Sequence, residues 1–89
     1  MKTYIYPAIL YLDEDNKVYT VAFHDLELFT EGDTVEESYL RAREYLEIYS
    51  DCVLKYGTTM PSATKYADAA AKYKDNIILL VDAKVPEEQ

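Results

Sequence analysis

The stretch that decides the fold runs from Gly32 to Gly57 and reads GDTVEESYLRAREYLEIYSDCVLKYG. Thr34 and Glu37 have the spacing of a capping box, in which each side chain bonds a free N–H at the start of a helix. Gly57 is typical of the residue just beyond a helix C-terminus, and Lys55 lies in the last turn before it. The sequence therefore predicts a helix over 35–56, about 22 residues and about 33 Å long at ~1.5 Å per residue.

Apolar and aromatic side chains recur along this helix in alternating steps of four and three, the period of a face packed on a core. They are Val35, Tyr39, Ala42, Leu46, Tyr49, Val53 and Tyr56. Ser38, Tyr45 and Cys52 widen this stripe on one side, and Leu40, Ile48 and Leu54 lie outside it. The helix is expected to pack one face on a sheet.

Length and composition predict one small globular domain over residues 1–85, since 49% of the 89 residues are hydrophobic and 29% are charged. The net charge of −8 argues against binding a nucleic-acid backbone and favours a basic partner. Cys52 is the single cysteine and cannot form an intrachain disulfide, which fits a reducing compartment. Without a long apolar run or a signal-peptide core, the chain is expected to be cytoplasmic.

Three strands are predicted before the helix, at Thr3–Leu12, Val18–His24 and Leu28–Glu31. They are joined by two tight turns, so we expect three antiparallel strands with the helix across one face. The first strand is apolar on both faces and should be covered on both sides or lie in an interface. Pro7 has no N–H to donate, which predicts an edge or a bulge at that position.

The chain after the helix is expected to form a loop over 58–64 and a short helix or mobile segment over 65–74. The apolar run within Asn76–Val85 predicts a last strand that is buried on both faces. A right-handed crossover through the helix would place this strand parallel to the first, on its far side from the second. The expected fold class is α+β, a mixed four-stranded sheet with one long helix on a face, and residues 86–89 are expected to form a disordered tail.

No group of residues has the pattern of a catalytic, cofactor or metal site. Asp13 and Asp15 suggest calcium, but Lys17 stands where the next oxygen ligand would be, so a hairpin turn is favoured. His24, the single histidine, is expected to be a surface hydrogen-bond partner beside Asp25, and nothing brings it near Cys52. The sequence thus predicts a binding domain without catalytic residues, and it assigns no partner-binding residues.

Several short segments, in this order, resemble the HicB family of antitoxins. They are Tyr6-Pro7-Ala8-Ile9, Thr20-Val21-Ala22-Phe23 with Asp25-Leu26, the run from Thr30 to Glu37, and Gly57 with Met60-Pro61-Ser62. The chain departs from the family pattern at His24, where the family has Pro, and at Glu27-Leu28-Phe29, where it has Pro-Gly-Cys. Ser38 stands where the family prefers Ala.

The resemblance implies a partial ribonuclease H-like fold of order β-β-β-α-β without nuclease activity. It also implies that the chain binds and blocks a HicA-type toxin, a small basic ribonuclease that cleaves mRNA, which agrees with the acidic balance. Many members carry a C-terminal DNA-binding domain. This chain ends at Gln89, too early for one, so DNA binding is expected to be absent or removed by truncation.

Two other interpretations stay open. One is a stand-alone, self-associating module without a toxin, favoured by the two-sided first strand and the ten tyrosines. Whether the chain is an antitoxin or this module, we expect a homo-oligomer, because one helix covers only one face of a sheet. The other is an acidic-site nuclease of the ribonuclease H type, which the absence of any acid between Tyr4 and Leu12 disfavours.

Overall fold

The predicted long helix is present. A computed structural model describes residues 2–85, and in it helix α1 spans Val35–Lys55. The hydroxyl of the N-cap residue, Thr34, accepts a hydrogen bond of 3.0 Å from the N–H of Glu37. The carboxylate of Glu37 pairs instead with Arg41 at 2.7 Å, one turn along the helix. The N-cap is therefore confirmed, whereas the reciprocal half of the capping box is wrong, since Glu37 has a charged partner on its own helix.

The C-terminus of α1 is closed by the backbone around Gly57. Gly57 has a φ of 75°, a left-handed conformation that glycine adopts without steric cost. Its N–H donates to the carbonyl of Leu54 at 3.1 Å, and the N–H of Thr58 donates to that of Val53 at 3.2 Å. This is the Schellman arrangement, which satisfies the last free carbonyls of a helix. Gly57 ends the helix as predicted, one residue earlier than expected because Tyr56 is the C-cap.

The face of α1 that is fully buried is a straight row of four residues spaced four apart: Ser38, Ala42, Leu46 and Ser50. Val35, Tyr39 and Tyr49 are half-buried beside this row and pack on the same core. The predicted stripe is thus confirmed at its centre. At its end it is wrong, because Tyr56 lies beyond the last helical turn and is 78% exposed.

Two serines occupy this buried row because their hydroxyls have partners. Ser38 Oγ donates to the carbonyl of Thr34 at 2.8 Å, and Ser50 Oγ donates to that of Leu46 at 2.7 Å. A Ser on a helix can bond back to the carbonyl four residues earlier in this way, so no hydroxyl is left unsatisfied in the core. The burial of Ser50 could not be read from an apolar pattern.

The four described strands form one antiparallel sheet in the order β3-β2-β1-β4. Strand β1 spans Lys2–Asp13, β2 Val18–Phe23, β3 Phe29–Gly32 and β4 Ile77–Val85. The α+β class, the two hairpins and the place of β4 beside β1 are confirmed. The mixed sheet is wrong, because β4 pairs antiparallel to β1, with Lys2 opposite Val85 and Leu10 opposite Ile77.

The direction of β4 follows from the path of the chain after α1. The hydroxyl of Tyr6, on the α1 side of the sheet, donates to the carbonyl of Pro61. Tyr73 hydrogen bonds His24, which by the alternation of β2 lies on the opposite side. The chain has therefore passed around the end of the sheet between these points. A second helix, α2 at Tyr66–Lys72, forms on that side.

Because the chain comes back along the second face, β4 begins beside the C-terminal half of β1 and runs toward its start. A crossover made by α1 alone would have started β4 at the other end. The alternative of a short helix over 65–74 is confirmed by α2, in which Ala69 is buried.

Pro7 lies in a strand that is paired on both sides, so the predicted edge or bulge is wrong. Its carbonyl accepts a hydrogen bond of 3.3 Å from the N–H of His24, the residue just beyond the end of β2. The missing N–H is therefore tolerated where the ladder with β2 stops. Pro7 and Ile9 are buried on the face away from α1, whereas Ile5 on that face is 50% exposed. Coverage of β1 on both sides is thus confirmed only at its centre.

No helix within residues 2–85 is long and apolar enough to cross a membrane. The tail predicted over residues 86–89 lies outside the described range. Division into a single domain over 1–85 and the ribonuclease H-like label stay predictions.

The first prediction concerns the buried row of α1. Leu46→Ala should lower the free energy of unfolding by about 2–5 kcal/mol, because Leu46 is completely buried and truncation leaves a cavity. Leu40→Ala is the matched control, since Leu40 lies on the same helix but is 59% exposed, and it should change stability by less than about 0.5 kcal/mol. Urea denaturation of both variants measures this. Equal losses would mean that the wrong face has been assigned to the core.

Candidate partner-binding surface

The acidic turn between β1 and β2 is a hydrogen-bonded turn, as predicted. The carboxylate of Asp13 accepts bonds from the N–H groups of Asp15 at 3.1 Å and Asn16 at 3.2 Å, and from the Asn16 side chain at 2.9 Å. These bonds, led by that of the Asn16 side chain, lower the pKa of Asp13 below its usual value. In residues 2–85 no group of His, Cys, Asp or Glu side chains could hold a metal ion.

His24 is a hydrogen-bond partner, as expected, but its partner is Tyr73. The Nδ1 atom lies 3.0 Å from the Tyr73 hydroxyl, and the two rings meet edge to face with centroids 5.5 Å apart. Cys52 lies exposed on α1, among apolar side chains that do not include His24. The structure thus brings no nucleophile pair together at these two residues.

Asp25 holds the chain where it passes around the end of the sheet. Its carboxylate accepts a hydrogen bond from the N–H of Thr64 at 2.9 Å and another from the Thr64 hydroxyl at 2.6 Å. Tyr6 holds the same loop through the carbonyl of Pro61. These two attachments fix the chain after α1 against β1 and against the end of β2.

An open groove of about 390 Å³ runs along the side of α1 that faces the β2–β3 connection. Its lining is almost entirely apolar and consists of Leu28, Tyr45, Ile48, Tyr49 and Cys52. Four of these residues follow one another along α1 at steps of three, one and three, so they form one helix face. Leu28, from the turn before β3, forms the opposite wall.

The groove exists because the apolar side chains of α1 continue around the helix beyond the face that packs on the sheet. Tyr45, beside the buried row, is 43% exposed, and Ile48, farther around the helix from that row, is 61% exposed. The signal was present in the sequence, where Tyr45 and Cys52 widen the stripe and Ile48 lies outside it. Leu28 could not be placed opposite them, because the shape of the turn at residues 25–28 does not follow from its sequence. The groove was therefore missed as a candidate site.

Three carboxylates on the outer side of α1 form no ion pair among the described residues. Glu44, Glu47 and Asp51 are exposed and belong to none of the ion pairs found in residues 2–85. The two arginines of the helix are engaged elsewhere, Arg41 with Glu37 and Arg43 with Asp82. Lys55, the remaining basic residue of α1, is exposed and is a single positive charge beside three negative ones, so the outer side of α1 is negative on balance.

Asp82 joins α1 to the edge strand β4. Its Oδ1 accepts a hydrogen bond of 3.3 Å from the Tyr39 hydroxyl and lies 3.2 Å from Arg43 Nε. The Arg43 N–H does not point at the carboxylate, so this pair is held by charge attraction rather than by a hydrogen bond. Burial, followed by the charge of Asp82, raises the pKa of Tyr39.

Exposed apolar side chains also lie on the face of the sheet away from α1, on either side of the covered centre of β1. Ile5 is 50% exposed, Leu80 is 48% exposed and Tyr11 is 40% exposed. By the register of β1 with β4 and the alternation along both strands, all three lie on this face. The chain after α1 thus leaves part of it uncovered.

An exposed apolar groove with carboxylates near its margin is a candidate site for binding another molecule. A family profile described as a HicB-like antitoxin of bacterial toxin–antitoxin systems matches residues 6–88. The chain belongs to this family, which confirms the resemblance seen in the sequence. It is an antitoxin of a toxin–antitoxin system.

The fold is also similar to a solved structure described as a toxin–antitoxin complex from Streptococcus pneumoniae. The TM-score is 0.77 at 19% sequence identity, and the match covers 93% of this chain and 70% of that chain. At this identity the likeness concerns the fold. A comparison with curated proteins finds no significant match.

The second prediction concerns the attachment of the loop by Tyr6. Burial raises the pKa of its hydroxyl above the usual value of about 10. Below that value the phenol is neutral in both the folded and the unfolded chain, and its contribution to the stability of the fold is complete. As pH rises through the folded-state pKa, this contribution is lost. The free energy of unfolding should therefore fall above about pH 10.

Tyr6→Phe tests this. At pH 7 the variant should lose about 0.5–1.5 kcal/mol with the hydrogen bond to Pro61. Above about pH 10 its stability should fall less steeply than that of the wild type, as measured by urea denaturation at a series of pH values. Parallel curves for the two proteins would show that Tyr6 does not cause the alkaline loss.

Proposed function

We propose that this antitoxin neutralises a HicA-type toxin, a small basic ribonuclease, by binding it. The observation that carries the proposal is the family match over residues 6–88. The fold it shares with a chain of a toxin–antitoxin complex supports the same type of partner. The net charge of −8 supports a basic one.

Neutralisation by binding needs no catalytic group in this chain. Nothing in the described residues resembles an acid–base pair: His24 is engaged with Tyr73, and the carboxylates of Asp13 and Asp25 are used within turns and loops. We therefore propose that the chain is not an enzyme and that it acts on the toxin by covering its surface.

A homo-oligomer belongs to the same proposal. The uncovered side chains of Ile5 and Leu80 form an apolar area on the sheet face away from α1, and Tyr11 is exposed farther along β1 on the same face. Such areas are commonly covered by a second copy of the chain. The self-associating module without a toxin would share this property, so only toxin binding separates the two interpretations.

Co-expression is the third prediction and tests the function itself. The probe is a small basic HicA-type protein whose gene adjoins that of this chain, produced from an inducible promoter at a level that arrests growth. Co-expression of the chain should restore growth, and the two proteins should purify together. Continued growth arrest without a complex would rule out toxin binding as the function, and the self-associating module would then be the remaining interpretation.

The fourth prediction concerns salt. Exposed charges act mainly on the rate of encounter, and salt screens them over a Debye length of about 8 Å near 0.15 M. The association rate with the basic protein should fall as salt rises, while the dissociation rate changes less. Surface plasmon resonance at several salt concentrations measures both rates. An association rate that does not depend on salt would contradict charge-guided capture.

The fifth prediction concerns self-association. Light scattering of the chain alone should give a mass of at least twice 10.3 kDa. Leu80→Ser should shift this mass toward that of one chain, because Leu80 lies in the exposed area and not in the core. A single-chain mass for the wild type over a wide concentration range would disprove the homo-oligomer.

A further inference from the structure

We propose that the groove beside α1 receives an apolar side chain of the basic partner, and that the carboxylates of the helix around it bind the partner's basic residues. This inference rests on the proposed function and adds the location of the contact surface. The groove is defined, as above, by Leu28, Tyr45, Ile48, Tyr49 and Cys52.

The shape and chemistry of the groove are those of an anchor site. Its volume of about 390 Å³ lies within the range of sites that hold small ligands or single anchoring side chains. It has two tyrosines and an isoleucine in its lining, residue types that give large contact area with little polar surface. Binding energy in protein interfaces is concentrated in such apolar pockets, with polar groups at their margin.

The charges select the kind of partner. Glu44 lies four residues before Ile48 and Asp51 three residues after it, so both carboxylates neighbour this lining residue on the helix surface. Both carboxylates are exposed, and no ion pair found in residues 2–85 includes them. A second copy of this acidic chain would bring like charges together at this place, whereas a basic protein would neutralise them. Charge complementarity therefore favours the toxin as the occupant over another copy.

The groove is also firmly built. Leu46 and Ser50, which alternate with the lining residues along α1, are completely buried. The capped start and the Schellman end of the helix hold its length. A partner would thus meet a surface that is already formed, which lowers the entropic cost of association.

The test uses two substitutions that introduce the same charge at equally exposed positions of one helix. Ile48 is 61% exposed and lines the groove, whereas Leu40 is 59% exposed and does not line it. Ile48→Glu should raise the Kd for the neighbouring basic protein at least about tenfold, and Leu40→Glu should leave it within about threefold. Thermal unfolding that matches the wild type confirms that both variants are folded.

Cys52 supplies an independent readout, because it is the single cysteine of the chain and is exposed within the groove. Its alkylation by iodoacetamide should slow at least about tenfold in the complex. In the free chain the rate should not depend on protein concentration. Slowing with the concentration of the chain alone would mean that a second copy occupies the groove, which would overturn the inference.

The two proposals fail in different ways. If the wild type forms no complex with the basic protein, the proposed function falls and the inference falls with it. If the complex forms but Ile48→Glu binds as tightly as Leu40→Glu, or Cys52 stays as reactive as in the free chain, the function stands and the groove is not the contact surface.

Discussion

The position of α1 depends on a close contact between Gly32, at the end of β3, and Ser38 in the helix. A Cβ atom at residue 32 would lie 2.7 Å from Ser38 Oγ and 2.8 Å from its backbone nitrogen, closer than such atoms can approach. Only glycine leaves room for the helix at this distance. Ser38 uses the proximity, since its hydroxyl lies 3.3 Å from the Tyr19 carbonyl of β2. The buried row that starts at Ser38 is thereby set against the sheet, and the side of α1 that remains uncovered is set with it.

The second determinant of the structure is the passage of the chain from one face of the sheet to the other. Tyr6 in β1 and Asp25 just beyond the end of β2 hold the loop, and this lets α2 form on the far face. The same passage reverses β4 relative to a simple crossover. One loop with two side-chain attachments therefore decides both the direction of a strand and which part of the second face stays open.

Much of this fold could be predicted from local signals. The N-cap at Thr34, the glycine at position 57 and the alternation in the strands depend on residues near in sequence, and all were confirmed. The direction of β4 and the place of Pro7 depend on contacts between residues far apart, such as Tyr6 with Pro61, which leave no periodic trace. The groove is an intermediate case. Its helical wall was visible as a widened stripe, but its other wall, Leu28, depends on the shape of a turn.

The pairing of Asp82 with Tyr39 and Arg43 has a consequence for aggregation. Strand β4 is a nine-residue edge rich in apolar side chains, and an edge of this kind can act as a template to which another chain adds a strand. Asp82 places a charge in this strand, and α1 holds it there with a hydroxyl and a guanidinium. A strand that approached this edge would have to displace those groups or leave them desolvated. The structure thus discourages the addition of further strands at this edge.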